Sequence, residues 1–438
     1  MDSPQPTTLS DAAVLPIRPI AADERITAVD VLRGFAVFGI LLVNMAMFST
    51  PLYVFFVDEL WWTSTADRVA GVFVRSVAEG KFYVLFSFLF GLGMAIQMQR
   101  IEARGGRFVR VYVRRLLVLL AIGLCHALLL WFGDILTLYA LVGFLLLLFR
   151  KRRDGTILIW ALVVYCLPLF AVTSSVGSVK LAQFDPNVAA RIEAEFAESD
   201  ESYRQWAEFS LDAYQHGSLT EIFWHRLENH KHILWVTLFM LPVVFSMFLL
   251  GLHVGRRGIL RDPTPHLPAL RRLVCWGLPL GLLLNVGFAL SIEFGSRSRP
   301  TVLTLAGYGA YTLGAPLLSF GYTAAIVLLV QRETWRRRLA PVAAVGRMAL
   351  SNYLLQTLIC TTLFYSYGFG LFGRVGPAWG LALTVAIYAV QLPLSAWWLR
   401  CFRFGPAEWL WRSLTYWKVQ PMRPRAAGLP SPTQGLTD

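Results

Sequence analysis

The chain has 438 residues, 56% of them hydrophobic and only 15% charged, against about 25% charged residues in ordinary soluble domains. That balance excludes a soluble globular protein and points to a polytopic membrane protein. A formal charge of +13, from 40 Lys and Arg against 27 Asp and Glu, would suggest nucleic acid in a soluble chain, but here it sorts by loop and no nucleic-acid partner is expected.

Apolar runs close to the ~20 residues that cross ~30 Å of hydrocarbon recur at 32–52, 82–99, 113–132, 134–149, 156–175, 233–255, 272–292, 311–331, 347–369 and 378–400. The fourth is the shortest. None shows the alternation of a barrel strand, and backbone groups in lipid must be satisfied within each segment, so an all-α membrane bundle of about ten transmembrane helices is predicted. Basic clusters at Arg100 to Arg115, Arg150 to Arg153, Arg256 to Arg261 and Arg336 to Arg338 fall in every second connection, which places those connections and both termini in the cytoplasm. The segment 176–232, with ten acidic and five basic residues, is expected to face outward, and Asp185 to Tyr214 reads as an amphipathic helical cap. Residues 1–28 and 421–438 read as disordered cytoplasmic tails around a single helical domain at 29–420. The first apolar run begins too late, and lacks the small-residue site, for a removable signal. Five cysteines, an odd number, show neither disulfide nor metal-ligand spacing, so no metal is expected.

Polar residues inside these runs need a reason, because a charged side chain costs roughly 2.5 to 3.5 kcal/mol at the centre of a spanning helix. In the first helix Asp30, Arg33 and Asn44 fall within an arc of roughly 60° at 100° per residue. This stripe anchors the helix at the inner interface, or Arg33 binds an anion arriving from the cytoplasm, where a guanidinium fork suits phosphate. Arg115 precedes His126 by eleven residues, about 16 Å of helical rise, so His126 is expected near the bilayer midplane. Asp134 follows in the turn to the fourth helix, either as a cap or as the orienter of a His126 general base. Lys81 opens the second helix, in which Gly91 and Gly93 suit close helix packing. Arg347, Asn352 and Gln356 mark the ninth, the last two sharing a face. Outer histidines at 225, 230 and 232 are rival bases. Residues 404–418 read as an interfacial helix with Glu408 and Arg412 paired at i,i+4.

The segments VDVLRGFAVFGILLVN from Val29, GKFYVLFSFLFGLG from Gly80, RRLLVLLAIGLCHALLLWFGDIL from Arg114, GRMALSNYLLQT from Gly346 and FGPAEWLWR from Phe404 together resemble the YeiB-like family of uncharacterised bacterial inner-membrane proteins. The resemblance implies a multi-pass protein of the bacterial cytoplasmic membrane. The LRG run is more distantly similar to membrane acyltransferases such as heparan-alpha-glucosaminide N-acetyltransferase and the bacterial sugar O-acyltransferases. In the latter a histidine commonly follows the LRG arginine by eleven residues. Here that position is Asn44, which leaves His126 as the intramembrane candidate.

The leading expectation is an acyltransferase that takes an acyl group from cytoplasmic acyl-CoA to an outer-side acceptor, a glycan or other envelope component. Asp30, Arg33 and Arg115 would hold the donor, Asn44 would position the thioester, and His126 with Asp134 would deprotonate the acceptor. A transporter or lipid flippase for an anionic solute is the alternative, with the Gly- and Pro-interrupted stretch 303–318 as a broken helix. A non-catalytic scaffold or sensor is the third reading.

Overall fold

The computed structural model describes residues 26–423, which form helices and loops with no strand among them. The expected tails lie outside the described residues except at their inner edges, where helix already begins at Thr27. Eight segments are long and apolar enough to cross a membrane: Thr27–Ser49, Thr65–Ala103, Phe108–Leu130, Asp154–Ala182, Leu219–Arg256, Thr264–Phe294, Val302–Val330 and Pro377–Cys401. Two shorter apolar helices, Leu136–Leu147 and Ala349–Phe364, account for the other two expected runs.

In chain order the helices are α1 (Thr27–Ser49), α2 (Thr65–Val77), α3 (Lys81–Ala103), α4 (Phe108–Cys125), α5 (Leu136–Leu147), α6 (Asp154–Ala182), α7 (Pro186–His216), α8 (Leu219–Arg256), α9 (Leu267–Arg272), α10 (Leu278–Phe294), α11 (Val302–Val330), α12 (Glu333–Arg338), α13 (Ala340–Arg347), α14 (Ala349–Phe364), α15 (Pro377–Cys401) and α16 (Pro406–Tyr416). Local chemistry sets several starts. Ser64 accepts the Asp67 N–H to cap α2, Ser218 and Glu221 form a reciprocal box at α8, and Pro186 follows the Asp185 cap of α7.

Lipid supplies little hydrophobic drive between helices, so small residues that let backbones touch decide which pairs form. A Cβ on Gly91 would lie 2.0 Å from the Phe248 carbonyl oxygen, and one on Gly251 would lie 2.0 Å from that of Phe88, so α3 and α8 pack backbone to backbone. Around this seam Met94, Tyr112, Leu116, Tyr139, Leu249 and Leu252 are fully buried. A second seam joins α1 to α13, where a Cβ on Gly34 would meet the Val342 oxygen at 2.0 Å and one on Gly346 the Asp30 oxygen at 1.8 Å.

The basic clusters gather at one end. Gln99 bonds the Arg256 carbonyl at 3.2 Å, and the Arg256 guanidinium donates to the carbonyls of Phe149, Arg150 and Arg152. At the other end the acidic α7 region takes Arg299, through Glu193 and Asp200, and Asp58 clasps Ser296, Arg297 and Ser298.

The segment 176–232 is almost all helix, with α6 and α8 running into it from either side of α7. Three features differ from the sequence reading. The stretch 303–318 is no broken helix: α11 continues through Pro316 without interruption, which removes the feature offered for a transporter. Helix α2 lies between the first two apolar runs, unpredicted because its apolar positions are interleaved with Asp67, Arg68 and Arg75. The Glu408 carboxylate turns inward to Leu350 and Ser351, rather than along its own helix to Arg412, because the N-terminus of α14 offers it free N–H groups.

Candidate functional site

A cavity of about 260 Å³ lies at the basic end. Its polar wall carries Asp30 and Arg33 from α1, Arg115 from α4, Arg347 from α13 and Glu408 from α16. Arg100, Arg104, Arg403 and Arg412 add to it, making seven guanidinium groups and two carboxylates among the described residues. The inner part is apolar, lined by Val37, Ile40, Phe90, Leu119, Ile135 and Leu136. Such a space suits an amphiphile with an anionic head and an apolar tail.

The two glycine seams build this cavity. Because α13 lies against α1 at Gly346, Arg347 comes within electrostatic range of Asp30; the Arg347 Nε is buried with no hydrogen-bond partner. Arg33 pairs with Asp30 at 3.6 Å and remains 35% exposed, so its fork stays open to the cavity. Gly93 faces it: a Cβ there would come only to 3.6 Å from Arg33 Nη2. Arg115 stacks on the Trp411 ring at 4.0 Å, and Trp411 Nε1 donates to the Arg115 carbonyl at 2.9 Å, so α16 fixes the arginine-bearing turn of α4. Glu408 accepts from the Leu350 and Ser351 N–H groups and, at 2.5 Å, from the Ser351 hydroxyl, anchoring α16 beneath α14. Burial pushes its carboxyl above the usual carboxylate range despite those donors.

Behind the inner wall lies a buried polar group. The helix of α4 widens at its end into a π turn, His126–Leu130, a departure common at functional sites. His126 Nδ1 and Asp134 Oδ1 are 2.9 Å apart, with side chains only 1% and 2% exposed. Asp134 Oδ2 accepts the Thr137 N–H at 2.7 Å. Asp134 thus meets the imidazole through one oxygen and the first turn of α5 through the other. His126 Nε2 lies 2.9 Å from the Thr357 hydroxyl. The Thr357 hydroxyl also lies 3.3 Å from the Tyr353 carbonyl, to which it can donate; a neutral imidazole with Nδ1–H on an ionised Asp134 would leave Nε2 as the basic nitrogen facing Thr357. The Tyr353 ring, 5.0 Å from the imidazole, lines the cavity on its other side. It forms the partition between the cavity and His126.

Of the residues singled out in the sequence, Asp30, Arg33, Arg115 and Arg347 line the cavity, and His126 with Asp134 sits behind it. Asn44 is not brought there. It lies one turn beyond Ile40, half-buried, with no hydrogen bond among the described residues. Lys81 is fully buried elsewhere, donating to the Arg75 carbonyl at 2.7 Å. Asn352 and Gln356 join α14 to α15 through Ser395 and Gln391, at 3.0 and 2.8 Å. Tyr353 and Thr357 were not singled out, though their i,i+4 spacing beside the Asn352 and Gln356 pair was a readable signal.

Residues 254–418 match a family described as "Protein of unknown function (DUF418)". The chain is 40% identical over 426 residues to the uncharacterized protein YxaH of Bacillus subtilis (strain 168), covering 93% of this chain and 98% of that one. It is 31% identical over 401 residues, 91% and 96% of the two chains, to an uncharacterized 39.9 kDa protein of Bacillus acidopullulyticus. It is 30% identical over 410 residues, 90% and 96%, to the uncharacterized protein YeiB of Escherichia coli (strain K12).

Proposed function

We propose that this chain, which belongs to the YeiB-like family of membrane proteins, is an acyltransferase that takes an acyl group from cytoplasmic acyl-CoA and delivers it to an acceptor on the outer side of the bacterial inner membrane. The observation that carries the reading is the arginine-lined cavity backing, through Tyr353, onto the His126, Asp134 and Thr357 chain. The basic clusters at the cavity end favour a cytoplasmic mouth.

In this reading Arg33, Arg115 and Arg347 bind the phosphates of the donor while its acyl chain occupies the apolar inner part. His126, held by Asp134, removes the proton from an acceptor hydroxyl or amine as that atom attacks the thioester carbonyl. The carbon–sulfur bond breaks, an ester or amide forms, and the proton passes to the departing thiolate. Asn44 has no part in this arrangement.

The test is acyl transfer from labelled acyl-CoA by purified protein in liposomes. Loss of the base should lower the rate by about 10²- to 10⁴-fold in His126→Ala. Unchanged transfer would remove His126 from the role. Counterflow of a labelled anionic solute without covalent change would favour the transporter reading instead.

A further inference from the structure

At the end opposite the cavity, Arg226 sits on α8 thirty residues before Arg256, about 45 Å along the helix. It is only 4% exposed. Among the described residues its sole side-chain hydrogen bond is from Nη1 to the Leu128 carbonyl at 2.9 Å, its Nε is buried without a partner, and no carboxylate lies within ion-pair distance. Arg347, whose Nε is likewise buried and unpartnered, has Asp30 within electrostatic range, and several other arginines of restricted exposure have clear partners. Arg299 reaches Glu193 and Asp200, Arg75 reaches Glu293, and Arg256 caps three carbonyls. A guanidinium withdrawn from water without an anion is unfavourable unless an anion visits it.

The surroundings fit such a visitor. Tyr214, Tyr365 and Tyr367 lie within electrostatic reach of Arg226, and Tyr367 is 43% exposed. The neighbouring His225 is 2% exposed, holds Ser210 through Nε2 at 2.8 Å and leaves Nδ1 unpartnered. Leu128 belongs to the π turn that begins at His126. Arg226 is thereby tied to the carbonyl of a residue two positions along the chain from His126, and neither Arg226 nor Leu128 lines the donor cavity.

We propose that Arg226, with His225, forms an anion subsite for the acceptor, and that the acceptor carries a carboxylate or phosphate. The anion subsite stands on the geometry of Arg226; only its assignment to an acceptor rests on the acyltransferase reading.

The test uses the full chain in nanodiscs of neutral lipid, titrated with glucuronate, glucose 6-phosphate, neutral glucose and coenzyme A, with binding read by the shift of the thermal unfolding midpoint. Glucuronate or glucose 6-phosphate should bind the wild type and glucose should not. Which of the two binds tells carboxylate from phosphate. Arg226→Gln should weaken that binding tenfold or more, and Arg226→Lys, which keeps charge but loses the fork, should weaken it less. Coenzyme A should shift all three proteins equally, which also shows that they are folded. Arg33→Gln should lose coenzyme A and keep the sugar anion, so a sugar phosphate entering the donor cavity is recognised. If Arg226→Gln does not fold, Arg226→Lys carries the comparison. Absence of anion binding, equal binding of glucose, or retained affinity in the Arg226 variants overturns the proposal. Failure of coenzyme A with Arg226-dependent sugar-anion binding overturns the donor reading and leaves the subsite standing.

Discussion

Gly346→Ala tests the link between helix packing and the cavity. Its Cβ would lie 1.8 Å from the Asp30 carbonyl oxygen, 2.6 Å from the Gly34 nitrogen and 2.9 Å from the Asp30 carbonyl carbon. All three are backbone atoms, so no rotamer change relieves the overlap. Reaching an ordinary carbon–oxygen contact requires α1 and α13 to part by about 1.6 Å, and overpacking of this kind typically costs about 1 to 3 kcal/mol. The displacement separates Arg347 from Asp30 and Arg33, so coenzyme A binding should weaken beyond the loss of stability. Gly93→Ala is the matched control, because its Cβ meets nothing closer than Arg33 Nη2 at 3.6 Å; its stability should change by no more than about 0.5 kcal/mol. Gly93→Leu should fill the space before Arg33 and abolish coenzyme A binding with the fold intact. The measurements are thermal unfolding and coenzyme A titration in detergent. A Gly346→Ala protein as stable and as tightly binding as the wild type would refute the argument that this seam shapes the cavity.

Asp134→Asn removes the charge that stabilises a protonated His126 and upsets its tautomer while keeping shape, so acyl transfer should fall by about 10²-fold or more with little change in coenzyme A affinity; a loss confined to affinity would contradict the assigned role. The raised carboxyl of Glu408 means that the folded state favours the protonated form. Its contribution to stability is complete below the ordinary value near 4.3 and is lost as pH rises through the folded value, so Glu408→Gln should flatten the decline of the unfolding midpoint above about pH 4. Asp58 has the opposite sign. Burial acts against ionisation, yet the Arg297 and Ser298 N–H groups and the Ser296 and Ser298 hydroxyls hold its carboxyl below the usual range. The clasp it makes should be intact above about pH 4 and open as pH falls through the lowered value, seen as faster amide hydrogen exchange at residues 297 and 298 that Asp58→Asn shows at every pH.

The apolar runs were legible because lipid imposes a length on each spanning helix, and the ten runs correspond to the eight long and two shorter apolar helices. The polar stripe on α1 and the His126 and Asp134 pair were legible for a related reason: charge in an apolar run is expensive and so informative. What could not be read was convergence. Arg347 joins Asp30 only because two glycines let α13 touch α1. Thr357 meets His126 across 231 positions of sequence, through the packing of α14 on the π turn. Asn44 shares a helical face with Arg33, yet its extra turns carry it past the cavity. Helical phase fixes direction, whereas the depth at which a pocket closes depends on side chains from other helices. The inward turn of Glu408 was hidden likewise, because local i,i+4 spacing favoured Arg412 and only the fold brought the N-terminus of α14 beside it.

Pro242 lies between two stretches of α8 with different surroundings. Beyond it, Val243 to Leu249 are buried against the α3 seam. Before it, Leu234, Trp235, Leu238 and Phe239 are exposed to the surroundings, and a proline supplies no N–H to the preceding turn. Nearer its start the helix is held again, Asn229 by Tyr53 and Tyr214, His225 by Ser210 and Arg226 by the Leu128 carbonyl. A single helix is thus moored at both ends, and its bare middle leaves Pro242 with no protein side chain required to replace the N–H it lacks.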